Sequence, residues 1–158
     1  MNLKHASLYF GKAGELYVMS EFLLRGYNVA VPEVDVGDDI FVIYTTNSIY
    51  PVQVKSANVA GDGAAFLAQF RLQRTQLLQT RSPELFYAFA IRNDAAWQHL
   101  VLLNRALLAS WYRSVAQRSS PAGQTVTVSF TKSERKSGVL CWGQDVAGYD
   151  KNFSVFAD

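Results

Sequence analysis

The stretch that decides the fold is residues 37–56, which read GDDIFVIYTTNSIYPVQVKS. Residues 39–44 are rich in β-branched and aromatic side chains, which favour a strand. Turn-forming residues follow at 45–48, and residues 49–56 have the composition of a second strand. This order predicts a β-hairpin, in which Pro51 indicates an edge or a bulge near the start of the second strand.

Three polar side chains of this hairpin come close together. Gln53 and Lys55 share one face of the second strand, because side chains alternate with a period of two. Closing the hairpin over residues 45–48 puts Asp39 opposite residue 54 or 55, and periodicity alone does not choose between these registers. Either register brings a carboxylate, an amide and an ammonium group together.

This set of groups suits a hard divalent cation such as Mg²⁺, which binds oxygen ligands and usually takes one or two carboxylates with water and substrate phosphate. Asp39 offers a carboxylate, Gln53 an amide oxygen and Val54 a backbone carbonyl. Lys55 could orient or deprotonate the attacking water, or stabilise the charge that develops on the phosphate. The alternative is an ordinary salt bridge between Asp39 and Lys55.

Residues 7–25 predict a helix before the hairpin. The residues that follow Glu15 in it by three, four and seven positions are all apolar: Val18, Met19 and Phe22. A carboxylate on an apolar stripe is either paired or functional. Lys12, three residues earlier, is the candidate partner; otherwise Glu15 could supply a second metal carboxylate, directly or through water.

The rest of the chain predicts alternating strands and helices. The expected strands are residues 27–31, 65–72, 85–91, 100–103 and 125–130, and the expected helices are residues 73–79 and 104–118. Asn104 is the predicted N-cap of the last helix, and the tail from residue 132 is expected to be irregular. The pattern predicts an α/β domain with a central mixed sheet flanked by helices.

Composition narrows the class of protein. Of the 158 residues, 49% are apolar and 18% are charged, as in a packed domain, so we expect a single domain over residues 1–158. One Cys and two His exclude a disulfide framework and a Cys/His zinc cluster within one chain. No apolar run approaches the ~20 residues of a membrane span, and the N-terminus does not resemble a signal peptide, so we expect a cytoplasmic protein.

The charges are unevenly distributed. Residues 1–66 carry four Lys and Arg against seven Asp and Glu, whereas residues 67–158 carry eleven against six. A cluster of acidic residues in one part of the chain and many arginines in the other are what a metal site that faces a polyanion needs. The alternative is that these are ordinary solvated charges without a common function. The candidate phosphate contacts are Lys12, Arg71, Arg74 and Arg81.

Glu15 on a helix, followed by Gly37-Asp38-Asp39-Ile40 and by Val52-Gln53-Val54-Lys55-Ser56, resembles the PD-(D/E)xK nuclease superfamily. The Gln variant is similar to the Mrr-type restriction endonucleases. The resemblance implies a restriction-endonuclease-like fold and an endonuclease or exonuclease that cleaves DNA phosphodiester bonds with Mg²⁺ or Mn²⁺.

The site residues follow from the same resemblance. The family's helix Glu falls on Glu15, its metal Asp on Asp39, its acidic-or-Gln position on Gln53 and its Lys on Lys55. No Pro precedes the Asp here, and Asp38 is a competing carboxylate. We choose Asp39 because an apolar strand begins directly after it, as in the family.

Two functions remain open at this point. The complete set Glu15, Asp39 and Lys55 favours an active nuclease. The absence of a separate recognition domain favours either a homodimer or a nuclease-fold protein that binds nucleic acid or protein without catalysis.

Overall fold

The structure is a computed structural model that describes residues 5–34, 37–45, 48–60, 64–93, 95–116, 123–134 and 136–156. Three helices lie in these ranges: α1 (Ala6–Leu23), α2 (Arg74–Leu78) and α3 (Arg105–Trp111). The strands are β1 (Asn28–Ala30), β2 (Ile40–Thr45), β3 (Ser48–Val59), β4 (Phe66–Gln73), β5 (Phe86–Asn93), β6 (Ala96–Asn104), β7 (Thr125–Ser133), β8 (Lys136–Cys141) and β9 (Gln144–Asp145).

The larger sheet has five strands in the order β1–β2–β3–β5–β6. Strands β3 and β5 run parallel and the other neighbours run antiparallel, so the sheet is mixed. Helix α1 covers one face with Val18 and Phe22, which are buried among sheet residues such as Val52 and Ala88. The predicted α/β architecture, a central mixed sheet flanked by helices, is confirmed.

A second, antiparallel sheet of order β4–β7–β8–β9 packs on the opposite face, together with α2 and α3. The two sheets meet through Phe70, Phe89 and Phe130, whose ring centroids are 4.9 to 5.6 Å apart. Since Gln53 and Lys55 alternate with Val52 and Val54 along β3, they project toward this second sheet and away from α1.

The expectation of an irregular tail after residue 132 is wrong, because β8 and β9 lie there. Glycine-rich composition hides a short alternation in β8, where Val139 and Cys141 are buried. Cys141 lies opposite Phe130 of β7, so pairing with this longer strand stabilises a segment too short to be recognised alone.

The predicted hairpin forms, but in a different register. Ile40 lies opposite Val52, whereas the predicted registers put it opposite residue 53 or 54. A register shift between Ile43 and Thr45 absorbs the difference next to the turn, whose residues 46 and 47 lie outside the described ranges. The observed register keeps Asp39 on the same face as Gln53 and Lys55.

Helix α3 begins where the sequence predicted, because the Asn104 side chain caps it by accepting the Leu107 N–H at 2.8 Å. The helix continues beyond Trp111 as a π-helical turn, Tyr112–Ala116, and residues 117 and 118 of the predicted helix lie outside the described ranges. None of the helices in those ranges has the length and apolar character needed to cross a membrane.

Candidate functional site

A polar cleft of about 800 Å³ opens where β2 begins, beside β3 and α2. Three of the residues predicted from the hairpin line it together: Asp39, Gln53 and Lys55. The other lining residues are polar or glycine: Gly37, Asp38, Gln73, Thr75, Gln76, Gln79 and Arg81. The cleft therefore combines the predicted hairpin groups with a wall of amide and hydroxyl side chains.

Two backbone hydrogen bonds fasten Asp39 to β3. Its N–H donates to the Val52 carbonyl at 3.0 Å, and its Oδ2 accepts the Val54 N–H at 2.7 Å. In a strand the N–H and C=O groups of one residue point to the same side, so the Asp39 carboxylate lies along the same edge of β3 as the Val54 carbonyl. A carboxylate oxygen and a backbone carbonyl oxygen, both possible metal ligands, thus lie along the same edge of β3.

Gln53 lies beside Asp39 in the cleft. The residue is only 8% exposed, and its side-chain oxygen, Oε1, is buried without a hydrogen-bond partner. Leaving a buried acceptor unsatisfied costs about 1–3 kcal/mol, so such atoms in native proteins call for an explanation such as an ion or a ligand. An amide oxygen beside a carboxylate meets the preference of Mg²⁺ for oxygen ligands.

Lys55 lies two residues further along β3, on the same face, and is half-buried. The alternative predicted from the sequence, a salt bridge between Asp39 and Lys55, does not form; Lys55 has no salt bridge to any carboxylate in the described part of the chain. Its ammonium group therefore lines the cleft as a hydrogen-bond donor.

Asp38, the competing carboxylate, has a different role. It is 3% exposed and receives two hydrogen bonds from Arg81, at 2.7 and 2.8 Å. The same interaction raises the pKa of the Arg81 guanidinium above its ordinary value. Gln76 donates to the Gly37 carbonyl at 2.8 Å. The two residues that precede Asp39 are thus held in place by hydrogen bonds from Gln76 and Arg81.

Glu15 does not line the cleft. It pairs with Lys12 at 2.6 Å, the partner named from the sequence. Helix α1 packs on the opposite face of the sheet, so closely that a Cβ atom at Gly14 would lie 2.6 Å from the Cβ of Ser56. The structure therefore brings Asp39, Gln53 and Lys55 together and leaves Glu15 and Lys12 paired on the helix.

The predicted phosphate contacts lie in different surroundings. Arg71 is exposed on the outer face of β4, opposite Thr127, and Arg74 is the first residue of α2, next to Gln73 in the cleft wall. Arg81 lines the cleft but is engaged with Asp38. Neither Arg71 nor Arg74 lines the cleft, although each lies within two residues of Gln73, which does.

That wall was missed in the sequence. Thr75 and Gln76 lie in the short helix α2, and Gln73 and Gln79 flank it. The three glutamines within residues 73–79 were the signal in the sequence. No group of three or more His, Cys, Asp and Glu side chains that could hold a metal occurs among the described residues. Any cation in the cleft would depend on amide and carbonyl oxygens in addition to Asp39.

The fold is similar to that of a bacterial homing endonuclease, I-Ssp6803I, with a TM-score of 0.58 and 15% identity over 95% of this chain and 92% of that chain. Hjc, a Holliday junction resolvase of Archaeoglobus fulgidus, aligns with a TM-score of 0.47 and 11% identity over 74% of this chain and 81% of that chain. No family model and no curated protein matches the sequence. The first likeness establishes the fold: the chain has the restriction-endonuclease-like fold that the sequence predicted.

Proposed function

We propose that the chain is a nuclease that hydrolyses DNA phosphodiester bonds with Mg²⁺ or Mn²⁺, of the QxK type that the sequence resembles. One observation carries the proposal. Asp39, Gln53 and Lys55 line one cleft, and the Oε1 atom of Gln53 is buried there without a hydrogen-bond partner. A bound cation would give this oxygen the partner that the described residues do not provide.

The donor set fits a hard cation. The Asp39 carboxylate, Gln53 Oε1 and the Val54 carbonyl would hold it, and every one of these ligands is an oxygen. When bound, the cation would lower the pKa of water and stabilise negative charge on the phosphate. A neutral Gln brings one negative charge fewer than an acid, so we expect weaker metal binding than a site with two carboxylates would give.

The chain's own residues have distinct tasks in this proposal. Asp39 is positioned by its hydrogen bonds to the β3 backbone. Lys55 donates to the attacking water or to a non-bridging phosphate oxygen, where it stabilises the developing charge. Arg81, expected from the sequence to contact phosphate, instead positions the segment before Asp39 through its pair with Asp38.

The resemblance assigns Glu15 to the family's helix Glu, but we propose only an indirect role for it here. Because it does not line the cleft and is paired with Lys12, it would act on the site through water. Arg71 and Arg74, on either side of the cleft residue Gln73 in the sequence, are the contacts we propose for the phosphate backbone of DNA, with Lys12 a further candidate on α1. Phosphate contacts of this kind set orientation and carry no sequence information.

The alternative is a nuclease-fold protein that binds nucleic acid or protein without cleaving it. The engagement of Glu15 with Lys12 and of Arg81 with Asp38 favours this alternative, because both pairs remove predicted groups from direct contact with substrate. The two functions differ in whether the cleft groups support hydrolysis, so cleavage by matched variants separates them.

The test is cleavage of supercoiled plasmid and of a single-stranded oligonucleotide in Mg²⁺ and in Mn²⁺. We expect Asp39→Asn to abolish cleavage, since it removes the charged ligand, and Lys55→Met to lower it by roughly 10²–10³-fold, the usual cost of losing one charge-stabilising donor. Asp145→Asn, at an exposed aspartate of β9, is the matched control. If the wild type cleaves neither substrate, the alternative function holds; if all variants cleave alike, the cleft is not the site of hydrolysis and the proposal is wrong.

A further inference from the structure

A second, smaller cavity of about 260 Å³ lies away from the cleft, between β6, the end of β7 and the β8–β9 hairpin. Its titratable lining residues are His99, Lys132 and Asp150, and Val139 and Val146 form part of its apolar wall. It shares no lining residue with the larger cleft. A cavity of this size suits a small polar group better than a drug-sized ligand.

His99 is held in one orientation by Asp150. The His99 Nδ1 and Asp150 Oδ2 atoms are 2.6 Å apart, and Asp150 Oδ1 accepts the Leu100 N–H at 2.9 Å. Both carboxylate oxygens are thus acceptors, which puts the ring proton on Nδ1. The backbone fixes the pair further, because Asp150 forms a bridge with Val101 and the Lys151 N–H donates to the Leu100 carbonyl at 2.8 Å.

The carboxylate of this pair stays ionised. Burial acts to raise the pKa of Asp150, but hydrogen bonds from His99 and the Leu100 N–H outweigh it and leave the pKa below its ordinary value. A carboxylate that accepts the Nδ1 proton fixes the tautomer and the orientation of the ring. The Nε2 atom has no hydrogen-bond partner in the described part of the chain, so it remains available to a ligand in the cavity.

We propose that this cavity binds a phosphate group, with the His99 Nε2–H and the Lys132 ammonium donating to its oxygens. Charge-assisted hydrogen bonds of this type are the strong ones in anion recognition. The proposal is independent of the metal cleft, and its failure would leave the proposed nuclease function untouched.

The other charges around His99 are consistent with an anion. Asp150 is hydrogen-bonded to His99, and Lys151 adds a positive charge next to it. Asp145, the nearby acid of the hairpin, accepts the Ala147 N–H at 2.8 Å. The phosphate could belong to free phosphate or a mononucleotide, or to the backbone of a nucleic acid, since the chemistry of recognition is shared.

Nuclear magnetic resonance of the histidine rings tests the proposal, because the chain has only two histidines, His5 and His99. We expect inorganic phosphate, added at about pH 6, to shift the His99 ring signals saturably and leave those of the exposed His5 unchanged. Chloride at equal ionic strength is the salt control.

Lys132→Met should weaken phosphate binding by roughly tenfold, the value expected for one charged hydrogen bond. Arg113→Met, which removes a positive charge from an exposed position on another element, should leave the affinity unchanged. Retained chemical shifts of the core methyl groups confirm that each variant is folded.

A short oligonucleotide without terminal phosphate distinguishes the two sources. If it shifts His99 at lower concentration than inorganic phosphate does, the site holds backbone phosphate; if only inorganic phosphate acts, the site holds a free phosphate group. Equal shifts of both histidines, the same shift with chloride, or unchanged affinity in Lys132→Met overturns the proposal.

Discussion

Asp38 and Arg81 form a bidentate ion pair, with N–O distances of 2.7 and 2.8 Å, between residues 43 positions apart in the chain. The pair joins the segment that carries Asp39 to the loop after α2, so it ties the proposed metal carboxylate to the amide wall of the cleft. Asp38 is almost completely buried, whereas Arg81 is partly exposed. An ion pair of this kind positions a site as well as stabilising the fold.

Arg81→Met should therefore destabilise the protein and weaken metal binding together. It leaves the buried Asp38 carboxylate unpaired, at a cost of about 1–3 kcal/mol in the free energy of unfolding. Urea denaturation measures the first effect and Mn²⁺ titration the second. Arg25→Met, which removes the more exposed pair with Glu21 and a cation–π contact with Phe153, is the control; it should cost about 1 kcal/mol and leave Mn²⁺ binding unchanged. Equal effects of the two variants would argue against a positioning role for Arg81.

Glu15→Gln separates an indirect role from a purely structural one. Because Glu15 lies outside the cleft lining, we expect Mn²⁺ affinity to change less than in Asp39→Asn, while cleavage falls. Calorimetry and plasmid cleavage on the same samples provide both values. Loss of metal binding as complete as in Asp39→Asn would make Glu15 a direct ligand, and no change in either quantity would reduce it to the partner of Lys12.

The salt dependence of DNA binding tests Arg71 and Arg74. Each phosphate contact contributes about −0.9 to the slope of log affinity against log salt concentration for duplex DNA. Replacing both residues by Ala should flatten the slope by about 1.8 if each makes one contact. Anisotropy titrations in Ca²⁺ at several salt concentrations measure the slope, and the same slope in the double variant would show that this surface does not meet the backbone.

The stability of the protein should depend on Asp150 in a pH-dependent way. The pKa of Asp150 is lowered from its ordinary value of 3.8 in the folded protein, so its ionised form stabilises the fold above that value. This contribution is lost as the pH falls through the lowered pKa of the folded state. Asp150→Asn should unfold at lower urea concentration than the wild type at pH 7, and the difference should shrink below pH 3.8. A difference that stays constant with pH would contradict the ionic contribution of the pair.

Local sequence was enough to predict the parts of the site that lie on one hairpin. Alternation along β3 placed Gln53 and Lys55 on one face, and the short turn brought Asp39 to them. The register was predicted wrongly because a shift beside the turn, between Ile43 and Thr45, leaves no mark in the alternation of either strand.

The remaining features depend on contacts between distant segments. The Asp38–Arg81 pair and the pairing of β4 with β7 each join segments that are far apart in the chain, and neither can be deduced from periodicity. Likewise, His99 acquires its partner Asp150 from 51 residues further along the chain. Long-range partners of this type are what a single sequence conveys least.

The most direct test of the central claim, that Asp39 and Gln53 hold a divalent cation, is calorimetric titration of Mn²⁺ into the wild type and Gln53→Glu. The substitution adds a negative charge at the position of Gln53 Oε1, the acceptor that has no hydrogen-bond partner. We therefore predict tighter Mn²⁺ binding in Gln53→Glu and no binding in Asp39→Asn. Identical binding by the wild type and Gln53→Glu, or no binding by either protein, would contradict the claim.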